Sequence, residues 1–86
     1  MKLLIVEDDV KIASFIEKGM REAGFIVDVC HDGTSGLEYG LTVQYDAAIV
    51  DIMLPGFDGL QLIEQLRLKN ITTPVLILSA KQSVDD

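Results

Sequence analysis

"DAAIVDIMLPGFDG", Asp46–Gly59, is an apolar run that ends in a carboxylate and passes at once into a loop holding Pro55 and Gly56. Small and β-branched residues in an unbroken run read as a strand covered on both faces, the kind found in parallel sheets. Asp46 belongs to the turn before it, and Asp51 stands where it ends. Beyond the loop, Asp58 and Gln61 have the spacing of a capping box, which predicts a helix start. Leu60, Leu62, Ile63, Leu66 and Leu68 then recur at helical spacing as far as Asn70, and this stripe reads as core. "TTP" breaks the helix, and Val75–Leu78 is a further apolar strand running into Ser79.

The same alternation extends toward the N-terminus. Lys2–Val6 reads as a strand, and Asp9 suits the N-cap of a helix in which Ile12, Ala13, Phe15, Ile16, Gly19, Met20 and Ala23 share a helical period. Gly24 is placed to end that helix. Phe25–Cys30 is a second strand, "HDG" a turn, and Thr34 to about Leu41 a weak helix carrying Gly36 and Gly40. Strand and helix alternating in this way predict βαβ units and an α/β, doubly wound, mostly parallel sheet.

Composition narrows the class. Eighty-six residues make at most one small domain, and apolar and charged contents of 49% and 24% are those of a globular chain. The apolar runs are far short of the roughly 20 residues that span a bilayer, and acid appears by Glu7, so neither a membrane span nor a leader is expected. A net charge of −7 disfavours direct contact with nucleic acid or an anionic membrane. The single Cys30 closes an apolar strand and reads as a small buried hydrophobe in a reducing, cytoplasmic setting.

Open parallel sheets bind ligands beyond the carboxyl ends of their strands, where strand order reverses. The first strand ends at Glu7, Asp8 and Asp9, the third at Asp51, and the fourth at Ser79 and Ala80. In the common order 2-1-3-4 the first and third strands are neighbours, and Asp8 and Asp51 converge. Convergent carboxylates repel unless a cation neutralises them, and Mg²⁺ is the hard ion that one or two carboxylates and water suit. An Asp in such a place can attack phosphorus, with the Ser79 hydroxyl donating to a phosphoryl oxygen and small Ala80 leaving room. Asp9 and Asp58 read as caps, and His31 as a solvated turn residue.

"LLIVEDD", "VDIMLPGFDG" and "VLILSAK", in this order, make the chain similar to the receiver domain of two-component response regulators, a flavodoxin-like fold. The first two resemble most the winged-helix transcriptional class, and "AGFIVDVCHDG" its heavy-metal-responsive branch. This resemblance implies that Asp51 accepts a phosphoryl group from a sensor histidine kinase. It makes Asp8 a direct Mg²⁺ ligand, Glu7 the neighbouring acid that helps hold the ion, and Met53 the position whose backbone carbonyl ligates it. Ser79 would be the switch hydroxyl and Ala80 its small neighbour, while Pro55 and Gly59 shape the loop. The implied module signals rather than turning over a substrate, and normally governs an attached DNA-binding domain.

Family receivers continue through a fourth helix, a fifth strand and a fifth helix, which carry a lysine for the phosphoryl group. Residues 1–86 therefore match the N-terminal portion, β1-α1-β2-α2-β3-α3-β4, and Lys81 stands too soon after the fourth strand to replace that lysine. Losing one such preorganised donor costs on the order of 3–4 kcal/mol where it has been tested in enzymes. Right-handed crossovers leave one helix to cover one face of four strands, with "PVLIL" at an open edge. A homo-oligomer or domain-swapped dimer is the expected consequence. Two alternatives stand beside the receiver: a receiver fragment, natural or engineered, without phosphotransfer, and a Mg²⁺-dependent phosphohydrolase working through an aspartyl phosphate. The second wants an acid two residues after its nucleophile, where this chain has Met53.

Overall fold

The computed structural model describes residues 1–78. Four strands, β1 (Lys2–Val6), β2 (Ile26–Cys30), β3 (Ala47–Asp51) and β4 (Val75–Leu78), form one parallel sheet in the order β2-β1-β3-β4. Three helices connect them: α1 (Val10–Glu22), α2 (Gly33–Thr42) and α3 (Gly59–Leu68). This is the expected doubly wound arrangement, with the reversal of strand order falling between β1 and β3. Register sets Val6 beside both Cys30 and Val50, and Asp51 beside Leu78, so three strand ends finish at nearly one level.

Helix starts follow local chemistry. Asp9 Oδ1 accepts the Lys11 and Ile12 N–H groups at 2.9 and 3.1 Å, Asp32 Oδ1 accepts Ser35 N–H at 2.7 Å, and Asp58 and Gln61 close a reciprocal capping box. Each satisfies orphan donors of a first turn, worth about 1 kcal/mol per cap. Gly24, at φ 97°, supplies the left-handed residue after α1.

The sheet alternates its side chains between two cores. Leu4, Val6, Ala48 and Val50 face α2 and α3 and pack with Leu62, Leu66 and Leu54. Leu3, Ile5, Val27 and Ile49 face α1 and meet Ile16 and Met20. One helix thus covers one face and two cover the other, as right-handed crossovers require. Two apolar stripes divide where the sequence suggested continuity. Leu62 and Leu66 are buried, but Leu60 and Leu68 of the α3 stripe are exposed, because they flank the arc that reaches the sheet. In α1, Ala13 is buried and Phe15 stands 80% exposed among the described residues. On β4, Leu76 and Ile77 are also exposed.

The division of α3 has a measurable consequence. Leu62→Ala should destabilise the fold by about 2–5 kcal/mol, whereas Leu68→Ala should stay within about 0.5 kcal/mol of the parent in denaturant unfolding.

Candidate functional site

β1 and β3 run side by side and finish on acids. Glu7 continues the ladder by giving its N–H to the Cys30 carbonyl at 3.0 Å, so it leaves β1 still tied to β2. Its carboxylate and those of Asp8 and Asp51 present oxygens that all lie within 4.8 Å of one another. Glu7 and Asp51 are each 2% exposed, while Asp8 opens to solvent. Among the described residues the ion pair formed is Arg21 with Glu17 on α1, well away from these acids in the chain. The three carboxylates therefore meet without a described cation to balance them.

Local hydrogen bonds aim the two buried acids. Glu7 Oε2 accepts the Asp9 N–H at 3.0 Å, which folds its side chain back over the start of α1. Asp51 Oδ1 accepts the Met53 N–H at 2.9 Å, two residues on, an Asx turn that leaves its second oxygen for the pocket. The loop is held from below by Leu54, buried in the α2–α3 core, with Phe57 packed beside it. Gly59 permits this closeness: a Cβ there would collide with the Asp51 carbonyl oxygen and stand 2.9 Å from Ile52 Cα, both backbone atoms.

Burial pushes the Glu7 carboxyl up to about 6, against the opposing Asp9 N–H. The charge of Asp51, and hydrogen bonds to Asp51 and Asp8 that favour a protonated partner, raise it further. A proton held among the acids is the metal-free way to ease their repulsion. The donor set is all oxygen, with no thiolate or imidazole, which fits a hard divalent cation.

The sequence expectations for this pocket meet the geometry unevenly. Glu7, Asp8 and Asp51 come together, and Met53 lies on the loop with its N–H committed to Asp51. Ser79 and Ala80, with Lys81, lie outside the described residues; β4 reaches Leu78, whose carbonyl accepts Ile52 N–H at 3.1 Å. Cys30 is buried, as expected, and burial lifts its thiol to about 11, away from reactivity. His31 is exposed, yet it is more than a solvated turn: its Nδ1 lies 3.0 Å from the Glu7 carbonyl oxygen. Neither that contact nor the Leu54 anchor was evident from the chain, though an Asp before a Pro-Gly loop is a recognisable Asx-turn signal.

The model of the response regulator receiver domain matches residues 3–86. The chain belongs to the response regulator receiver family. Among its relatives, the transcriptional activator protein IrlR of Burkholderia pseudomallei (strain 1026b) is 48% identical over 86 residues, covering 100% of this chain and 37% of IrlR. The transcriptional regulatory protein HprR of Escherichia coli (strain K12) is 43% identical over 86 residues, 100% of this chain and 38% of HprR. The chain thus spans little more than a third of these relatives' length. The Francisella response regulator 1452 receiver domain superposes with a TM-score of 0.89 at 44% identity, over 95% of this chain and 68% of that one. The receiver domain of sensor histidine kinase PA1611 from Pseudomonas aeruginosa PAO1, which has a magnesium ion coordinated in its active site cleft, gives 0.89 at 28% identity, over 93% and 67%. Among the described residues no helix is long and apolar enough to cross a membrane.

The raised Glu7 carboxyl predicts the sign of a pH effect. The folded receiver holds the Glu7 proton more tightly than the unfolded chain, so this group destabilises the fold as pH rises through the interval from 4.5 to about 6. Above that interval the loss should reach about 2 kcal/mol. Denaturant unfolding in EDTA at pH 4.5 and pH 7 should show it, and Glu7→Gln should remove that component.

Proposed function

We propose that this receiver is the phosphoacceptor of a two-component signalling pathway, with Asp51 taking a phosphoryl group from a phosphohistidine of a sensor histidine kinase. The observation that carries this reading is the convergence of buried Glu7 and Asp51 with Asp8 at the ends of β1 and β3. The free Asp51 oxygen attacks phosphorus, an O–P bond forms as the P–N bond to the kinase imidazole breaks, and the leaving nitrogen ends with a proton from solvent. Glu7, Asp8, Asp51 and the Met53 carbonyl would hold Mg²⁺, with Glu7 ionised. Bound there, the ion supplies positive charge that screens the carboxylates from the phosphoryl oxygens. Ser79 acts as the switch hydroxyl beside small Ala80. The receiver then works as a cytoplasmic signalling module rather than a turnover enzyme, and the names of IrlR and HprR support a transcriptional output.

Intact mass after incubation with Mg²⁺ and a small phosphodonor tests the acceptor. One phosphoryl adduct is expected, lost in Asp51→Asn and without Mg²⁺. A folded receiver that binds Mg²⁺ and gains no adduct would favour the reading of a fragment without phosphotransfer.

For a polypeptide of these 86 residues we further propose self-association through the β4 edge. Among the described residues β4 pairs with β3 alone, and Leu76, 63% exposed, and Ile77 present apolar surface beside it. Apolar surface next to unpaired strand groups favours association. Sedimentation velocity should show dimers that dissociate on dilution. A monomer across the accessible concentration range would rule this out.

A further inference from the structure

The His31 contact lies where the backbone pairing of β1 with β2 gives out. Glu7 N–H still bonds to the Cys30 carbonyl, but the chain after His31 turns away so that Asp32 can cap α2. The Glu7 carbonyl is left at the rim of the sheet, and the His31 ring meets it at 3.0 Å. A carbonyl oxygen only accepts, so Nδ1 carries the hydrogen whether the ring is neutral or charged. Glu7 is thereby tied at three points: its N–H by Cys30, its side chain by the Asp9 N–H, and its carbonyl by His31.

We propose that His31 is a positioning residue for the acidic pocket, its Nδ1–H fixing the Glu7–Asp8 peptide unit from which both carboxylates leave the backbone. This rests on the reading that the pocket holds a divalent cation. Released from the ring, the carbonyl turns toward water and the peptide gains rotational freedom. Asp8, solvent-exposed and next in the chain, loses its fixed approach to Asp51. Glu7 stays buried under the Asp9 bond, so the effect falls on the mutual placement of the acids rather than on the core. Groups that orient metal ligands from outside the coordination sphere typically contribute 10–100-fold to metal affinity. Acting through a peptide rather than on a ligand atom, His31 should stand at the lower end of that range.

Three substitutions test it in the full chain. In asparagine the amide nitrogen hangs from the γ carbon, as Nδ1 does in histidine; in glutamine it sits one bond farther out. His31→Ala should weaken Mg²⁺ binding about 10-fold by calorimetric titration. In metal-free protein it should also shift the Asp8 amide ¹⁵N resonance, which reports the hydrogen bond to the Glu7 carbonyl of the same peptide. His31→Asn should restore both readouts, and His31→Gln neither, with the unfolding midpoint in EDTA little changed throughout. Mg²⁺ affinity of His31→Ala within twofold of the parent would overturn the proposal. So would a loss that tracks a lowered metal-free midpoint and is not restored by asparagine, since that is the behaviour of a merely structural residue. A parent protein that binds no Mg²⁺ would overturn the cation reading and this proposal together, whereas a binding parent with an unaffected His31→Ala variant overturns the second alone.

Discussion

Two carboxylates, Glu7 and Asp51, are buried side by side where β1 and β3 end, with a third, Asp8, at the solvent edge. Placing like charges together in a poorly hydrated corner opposes folding, and the opposition can be met only by a proton or a cation. Below about pH 6 the raised Glu7 carboxyl supplies the proton; above it, only a cation can balance the acids. Almost every other feature of this end of the molecule holds the three acids in place against their repulsion. Asp9 gives one N–H to Glu7 while capping α1 with its own side chain, so the helix start and the acid are fixed by the same residue. Met53 does the equivalent for Asp51 from the loop.

Such restraint needs a rigid base, which the core supplies. Leu54 lies in the cluster of Val6, Val50, Leu62 and Leu66, so the loop after Asp51 is anchored in the same apolar mass that packs α3 onto the sheet. The Gly59 backbone lies against the Asp51 carbonyl, closer than any side chain permits. At the opposite end of the strands, the Asp46 carboxylate takes the Lys2 N–H of neighbouring β1 at 2.7 Å, and the Tyr45 hydroxyl, just before β3, reaches past β1 to donate to Asp28 of β2 at 2.6 Å. Burial first, and then this bond to Asp28, raise the Tyr45 hydroxyl well above the ordinary tyrosine range, so it stays a donor. The sheet is thus pinned at both ends, with unbalanced charge at one of them.

The order of elements and the convergence of Glu7, Asp8 and Asp51 were legible in the chain because they depend on period and punctuation. Apolar runs of four or five residues, caps at Asp9 and Asp58, and Gly24 are local signals, and the strand order 2-1-3-4 follows from how such units pack. The β1 and β4 limits agree with the expected ones, while Asp51 proves to be the last strand residue rather than the one beyond it. What was hidden depends on direction in space. Helical spacing shows that Leu60 and Leu68 accompany Leu62 and Leu66, but not how wide an arc of α3 the sheet can cover. Phe15 misled in the same way on α1. No spacing rule joins His31 to Glu7, which are distant in sequence and meet only because β2 lies beside β1.

The charge at the strand ends also bears on how a phosphoryl group would be read out. Ile52 donates to the Leu78 carbonyl, and Asp51 pairs in register with Leu78, so the last residue of β4 is bonded to the residue that follows the proposed acceptor. Any shift of the Asp51 loop therefore reaches β4 through a backbone hydrogen bond, without an intervening side chain. The proposed acceptor and β4 are thus adjacent in the fold and joined through backbone, the kind of contact through which a two-state signalling element is biased.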